Sequence, residues 1–183
     1  GVRDVMAQKG VRLGLLIVDT FSASAPGADE NSAKDLGPVL SALQALSREL
    51  RLRHKMLAVS ASWHRFGYPD AMFSVDECQH GIHGGDIETS LMLQFRPDLV
   101  RPEELQDFVP TSVEMAQSFQ WLRATGPHSM GWLAQDLSES GAMGNALTAS
   151  REKGEASADY GVSAFIELLQ DVDAFDLARL VSE

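Results

Sequence analysis

The chain has 183 residues, 44% of them hydrophobic and 22% charged, the composition of a folded globular protein rather than a disordered one. Fifteen Lys and Arg against 26 Asp and Glu give a formal net charge of −11, which repels nucleic-acid backbones and anionic membranes, so neither is an expected partner. One cysteine, Cys78, excludes an internal disulfide, and no apolar run of membrane-spanning length or leader pattern stands in the sequence, which predicts a cytoplasmic address.

Residues 13–20, Leu-Gly-Leu-Leu-Ile-Val-Asp-Thr, form an apolar, β-branched run that predicts a buried strand of a parallel sheet. A Ser-, Pro- and Gly-containing loop follows. Asn31 or Ser32 then caps a predicted helix whose apolar positions Leu36, Val39, Leu40, Leu43, Leu46 and Leu50 recur every three or four residues. Met56 to Ser60 reads as the next strand, which completes a βαβ unit. The fold class expected is α/β, a three-layer arrangement with a mainly parallel sheet and helices on both faces.

Residues 66–85 are too rich in turn residues for a long element. Glu88 to Phe95 predicts a helix stopped by Pro97, and Pro102 opens a further short helix at its first position. Residues 108–148 hold Gly-containing loops with little periodicity. Residues 152–170 carry Tyr160, Phe165, Leu168 and Leu169 at helical spacing. The 183 residues read as one α/β domain. Its basic and acidic side chains number eight and six over residues 1–60, but seven and twenty over residues 61–183, which marks a possible seam near 50–56.

The densest polar cluster runs from Asp76 to Ser90: Asp-Glu-Cys-Gln-His-Gly-Ile-His-Gly-Gly-Asp-Ile-Glu-Thr-Ser. Two histidines, four carboxylates and a Gly-Gly pair just before a helix suit a hydrolytic site, where backbone can approach a ligand closely. The plainer reading of the same residues is a polar turn with helix caps. His80 and His83, three residues apart, can share a metal, although spacing forces no third ligand.

The segment His83-Gly-Gly-Asp-Ile-Glu-Thr-Ser-Leu-Met-Leu followed by Arg96-Pro-Asp-Leu-Val resembles the creatininase (creatinine amidohydrolase) family. Ser60-Ala-Ser-Trp-His, Trp132-Leu-Ala-Gln-Asp-Leu, Gly141 to Gly144 and Ser150-Arg-Glu-Lys-Gly-Glu extend the similarity over about residues 50–177. The resemblance implies a metal-dependent amidohydrolase acting on a small-molecule cyclic amide or related C–N bond, assembled as a homo-oligomer. It implies His83 as the proton-transfer histidine, Glu88 as a support of the site, and Trp63 as the substrate cover, with Gly84 and Gly85 beside the substrate. It also implies a divalent metal, zinc or manganese. The family's metal ligands, an early Glu-x-His segment, a following Asp and a His-containing segment after a central strand, do not stand in this sequence. No histidine precedes His54. Surrogate donors are Asp19, Asp29, Glu30, Asp76, Glu77, His80 and Asp86.

Residues 11–50, with Asp19 ending an apolar strand, are similar to the Walker B region of RecA-like helicase ATPases, but no Gly-x-x-x-x-Gly-Lys-Ser/Thr loop accompanies them. Three readings follow: a creatininase-like amidohydrolase with impaired metal binding, a catalytically inactive chimeric or engineered α/β protein, and a nucleotide-binding fragment.

Overall fold

The structure, a computed structural model, describes residues 45–180. The strand expected over 13–20, most of the helix expected from Asn31 to Leu50, and the donors Asp19, Asp29 and Glu30 lie outside them. The chain divides into two compact units, one formed by Gly1–Ala61 with Glu167–Glu183 and the other by Ser62–Ile166.

In the first unit, helix α1 covers residues 45–54, four residues beyond the expected end at Leu50. It closes on Lys55 in the left-handed region (φ 52°). Lys55 N–H bonds to the Arg51 carbonyl at 3.2 Å, the single bond of an αL closure, and Met56 N–H reaches that of Leu50 at 3.3 Å. The strand expected over 56–60 does not form. These five residues leave a helix terminus without a described strand to pair with, and Val59 is half exposed.

The second unit begins with a 3₁₀ turn, Trp63–Phe66, followed by helix α2, Val75–His80, and helix α3, Asp86–Phe95. Helix α2 is capped by Ser74, whose hydroxyl accepts from Glu77 N–H. Helix α3 ends at Phe95 as Pro97 requires, and 3₁₀ turns follow at Pro97–Leu99 and Pro102–Glu104, each with Pro in first position. Helices α4, Ser112–Ser118, and α5, Ala134–Leu137, are short pieces within the stretch where no periodicity was expected. The long helix α6 runs Arg151–Ala174, wider than the expected 152–170, and belongs to this unit as far as Ile166 and to the first from Glu167.

Strands β1, Asp107–Phe108, and β2, Gly144–Asn145, pair antiparallel, Asp107 opposite Asn145 and Phe108 opposite Gly144. Among the described residues this two-stranded ribbon stands in place of the expected parallel sheet. The described part is therefore helix-rich. Its hydrophobic cluster gathers Ala124, Leu137 and Met143, all buried, with Ile82, Met115 and Trp132 packed against them. Trp132 Nε1–H donates to the Ala124 carbonyl at 2.7 Å, so the indole is satisfied as it packs. No helix among the described residues is long and apolar enough to cross a membrane.

Candidate active site

His83 is held by its backbone before its ring does anything. Its N–H bonds to the Met143 carbonyl at 3.3 Å, and its carbonyl accepts from Met143 N–H at 2.6 Å, an antiparallel bridge at the residue just before β2. Because Met143 is 1% exposed and belongs to the core, the histidine main chain is fixed to the packed interior of the unit. The side chain is free of that core, 70% exposed, with Nδ1 3.3 Å from Oε2 of Glu88.

The same Glu88 oxygen accepts from Gly84 N–H at 2.7 Å. Gly84 takes φ +68°, a conformation that a side chain disfavours, and this turns its amide toward a carboxylate in the first turn of α3. Thr89 Oγ1–H donates to the Gly84 carbonyl at 3.2 Å and closes the turn. Gly85, buried, is the N-cap of α3 and offers no side chain for that role. The structure thus brings His83, Gly84, Gly85 and Glu88 together. An open groove of about 280 Å³ starts at Gly84 and Glu88 and is lined by Met92, Leu99, Leu105 and Phe108, with Arg101 and Glu104 among its polar groups.

Trp63 is placed by a different element. Its ring lies against Gly161 of α6, where a Cβ would occupy the space of the indole, and it stays 38% exposed. One residue on, His64 Nδ1 is 2.9 Å from the Tyr68 hydroxyl. Burial pushes the Tyr68 phenol up to about 12, with the negative charges of Cys78, Glu88 and Glu77 adding to it. Burial likewise raises the Cys78 thiol, with Glu77 contributing.

The donors proposed from sequence do not pool around a metal. Asp76 is exposed on α2. His80 Nδ1 sits 2.9 Å from the Ser112 hydroxyl. Glu77, 4% exposed, spends its carboxylate on the backbone amides of Ile87 (3.1 Å) and Asn145 (3.0 Å). Asp86, 3% exposed, takes Lys153 Nζ at 2.5 Å, Thr148 Oγ1 at 2.8 Å and Ser90 Oγ at 3.0 Å. No group of three or more His, Cys, Asp and Glu among the described residues is placed to hold a metal ion. Two carboxylates read as ligand candidates are thereby scaffold. Their partners Asn145, Thr148 and Lys153 lie more than sixty residues away in sequence, beyond the reach of local spacing, while Ile87 and Ser90 are nearer, and Ser74-Val-Asp-Glu77 signals a helix N-terminus.

In the same unit, Lys153 also donates to the Thr148 carbonyl at 2.9 Å and stands 5.5 Å from the centre of the Phe73 ring. Ser90 Oγ accepts in turn from Ser150 N–H at 3.1 Å, so the start of α6 is bonded to α3. This network went unseen in the sequence.

The family described as creatinine amidohydrolase (creatininase) matches residues 38–169. Among solved structures, a creatinine amidohydrolase (creatininase) is 25% identical with a TM-score of 0.54, covering 78% of this chain and 54% of its own. A creatininase described as its Mn form is 25% identical at a TM-score of 0.53, with 75% and 52% covered. A Bacteroides fragilis protein described as a creatinine amidohydrolase, 18% identical, shares the fold at a TM-score of 0.53 over 96% of this chain and 78% of its own. This chain spans about half the length of the 25%-identical creatininases it matches. No curated protein matches it in sequence. The similarity of residues 11–50 to a RecA-like segment finds no support in these comparisons. With nearly three quarters of its length matched, the chain belongs to the creatininase family.

Proposed function

We propose that this chain carries the proton-transfer side of a creatininase-like, metal-dependent amidohydrolase acting on a small cyclic amide or related C–N bond. The observation that carries the reading is the His83–Glu88 pair, formed within the His-Gly-Gly-Asp-Ile-Glu-Thr-Ser segment and fixed by the Gly84 amide on the same carboxylate oxygen. With Nδ1 turned to Glu88, Nε2 is the nitrogen left for substrate. As water adds to the amide carbon and the C–N bond breaks, the protonated ring donates Nε2–H to the leaving nitrogen and regains a proton from that water, and Glu88 holds the ring in line. Gly84 and Gly85 keep the approach free of side chains, and Trp63 covers the substrate.

The relative in its Mn form supports a divalent metal for the family. The described residues of this chain do not fit one, and we assign them no metal-dependent step. Turnover by this chain alone is accordingly proposed to be impaired. Self-association into a homo-oligomer belongs to the same reading, as does a cytoplasmic address.

Creatinine hydrolysis, followed in the presence of added manganese with metal content measured on the same protein, tests the proposal. His83→Ala is expected to abolish residual hydrolysis and leave metal content unchanged. Equal activity in His83→Ala would remove the histidine from the mechanism. A wild-type chain without hydrolysis or bound metal would favour the alternative, an inactive α/β protein.

A further inference from the structure

We infer that Glu77 is the positioning residue of this site: its buried carboxylate staples together the two backbone segments that hold His83. One oxygen serves each segment. Oε1 accepts from Ile87 N–H at 3.1 Å, beyond the Gly84-Gly85 turn, and Oε2 accepts from Asn145 N–H at 3.0 Å, two residues past the Met143 bridge to His83.

Both amides need an acceptor from outside their own elements. Ile87 is the second residue of α3, where helical N–H groups have no partner within the helix, and the N-cap, Gly85, has no side chain to supply one. A carboxylate there also faces the positive end of the helix. The fit is close: a Cβ on Gly85 would collide with Oε1, and one on Gly144 would come within 2.7 Å of Oε2. Glycine at these two places makes room for the carboxylate. A carboxylate only 4% exposed is costly unless its oxygens are bonded, and no cation is bonded to it among the described residues, so the amides are its compensation.

The consequence for His83 is indirect and specific. Residues 83–87 and 143–145 converge on this one group, and the Gly84 amide that orients Glu88 lies between the His83 bridge and the Ile87 bond. Glu77→Gln keeps the shape but sets an NH₂ group against one of the two backbone donors, so one arm of the staple opens. The catalytic consequence rests on the proton-transfer reading of His83. The structural one does not.

The test is nitrogen-15 NMR of the His83 ring and hydrogen exchange at the Gly84 amide, with Leu137→Ala as a control that loosens the core without touching Glu77. In Glu77→Gln the two ring nitrogens are expected to lose the distinct shifts of a fixed Nδ1–H tautomer, and Gly84 to exchange at least about tenfold faster. Leu137→Ala is expected to lower Tm by as much while leaving both signals in place. Wild-type ring signals in folded Glu77→Gln, or the same changes in Leu137→Ala, would overturn the inference. Should Glu77→Gln fail to fold, Glu77→Asp, whose shorter stem cannot reach both amides, carries the same expectation. The wild-type protein gives an independent reading: through-hydrogen-bond couplings from the Ile87 and Asn145 amides to the Glu77 carboxyl carbon are expected, and their absence refutes the staple. These readouts need no turnover, so a chain that hydrolyses nothing still tests Glu77.

Discussion

Lys153→Met probes the bond network that fastens α6 to α3. Lys153 Nζ contacts Asp86 Oδ2 at 2.5 Å, the lysine side chain being 27% exposed and the aspartate side chain 4%. Removing one member of a buried ion pair leaves the other charged and poorly solvated, a loss of roughly 3–5 kcal/mol. Here the value falls at the low end, because Asp86 keeps the hydroxyls of Ser90 and Thr148, and because the lysine is partly solvated already. We expect a loss of about 3 kcal/mol, which for a chain of this length lowers Tm by roughly 6–12 °C. Adding Asp86→Asn removes the stranded charge and is expected to restore about 2 kcal/mol. Urea unfolding followed by far-UV circular dichroism, with the denaturant slope unchanged, measures both variants. A Lys153→Met protein within about 0.5 kcal/mol of the parent, or a double variant no more stable than the single one, would refute the buried-charge argument.

Leu137, 1% exposed among Ala124 and Met143, is expected to cost about 3–4 kcal/mol as Leu137→Ala, measured by calorimetry. Tyr68 gives a pH signature. The fold holds its phenol at about 12, above the ordinary value of 10, so it favours the neutral form. The associated stability is complete below pH 10 and is lost as pH rises through 12. Tyr68→Phe should flatten the fall of Tm between pH 10 and 12; an unchanged slope would assign that fall to other groups.

Much of the second unit follows from local signals. Pro97 sets the end of α3, Pro102 opens its turn, and the apolar spacing of Tyr160 to Leu169 marks α6. The run Met56 to Ser60 misleads because apolarity alone cannot distinguish a strand from a partly exposed connector, and no described strand lies beside it. At the site, the composition of residues 76–90 singles out the segment that folds around His83, but not the division of labour within it. Glu77 and Asp86 read as surrogate metal donors in sequence, yet their partners Asn145 and Lys153 lie far along the chain, and only folding commits the two carboxylates to them. His83 and Glu88 lie five residues apart, so their pairing follows from the turn and helix between them; the family resemblance names both residues but not the contact.

Trp63 sits on Gly161, and Asp86, at the foot of the His83 turn, is bonded to Lys153. Both anchors belong to α6, eight residues apart on one helix, a separation of about 12 Å along its axis. On the proposed reading, α6 is a ruler for the site, since its fixed rise sets how far the tryptophan seat lies from the base of the histidine loop. Inserting one residue between Lys153 and Gly161 would turn the seat by about 100° around the helix and lift the cover from its place without altering any residue that meets the substrate.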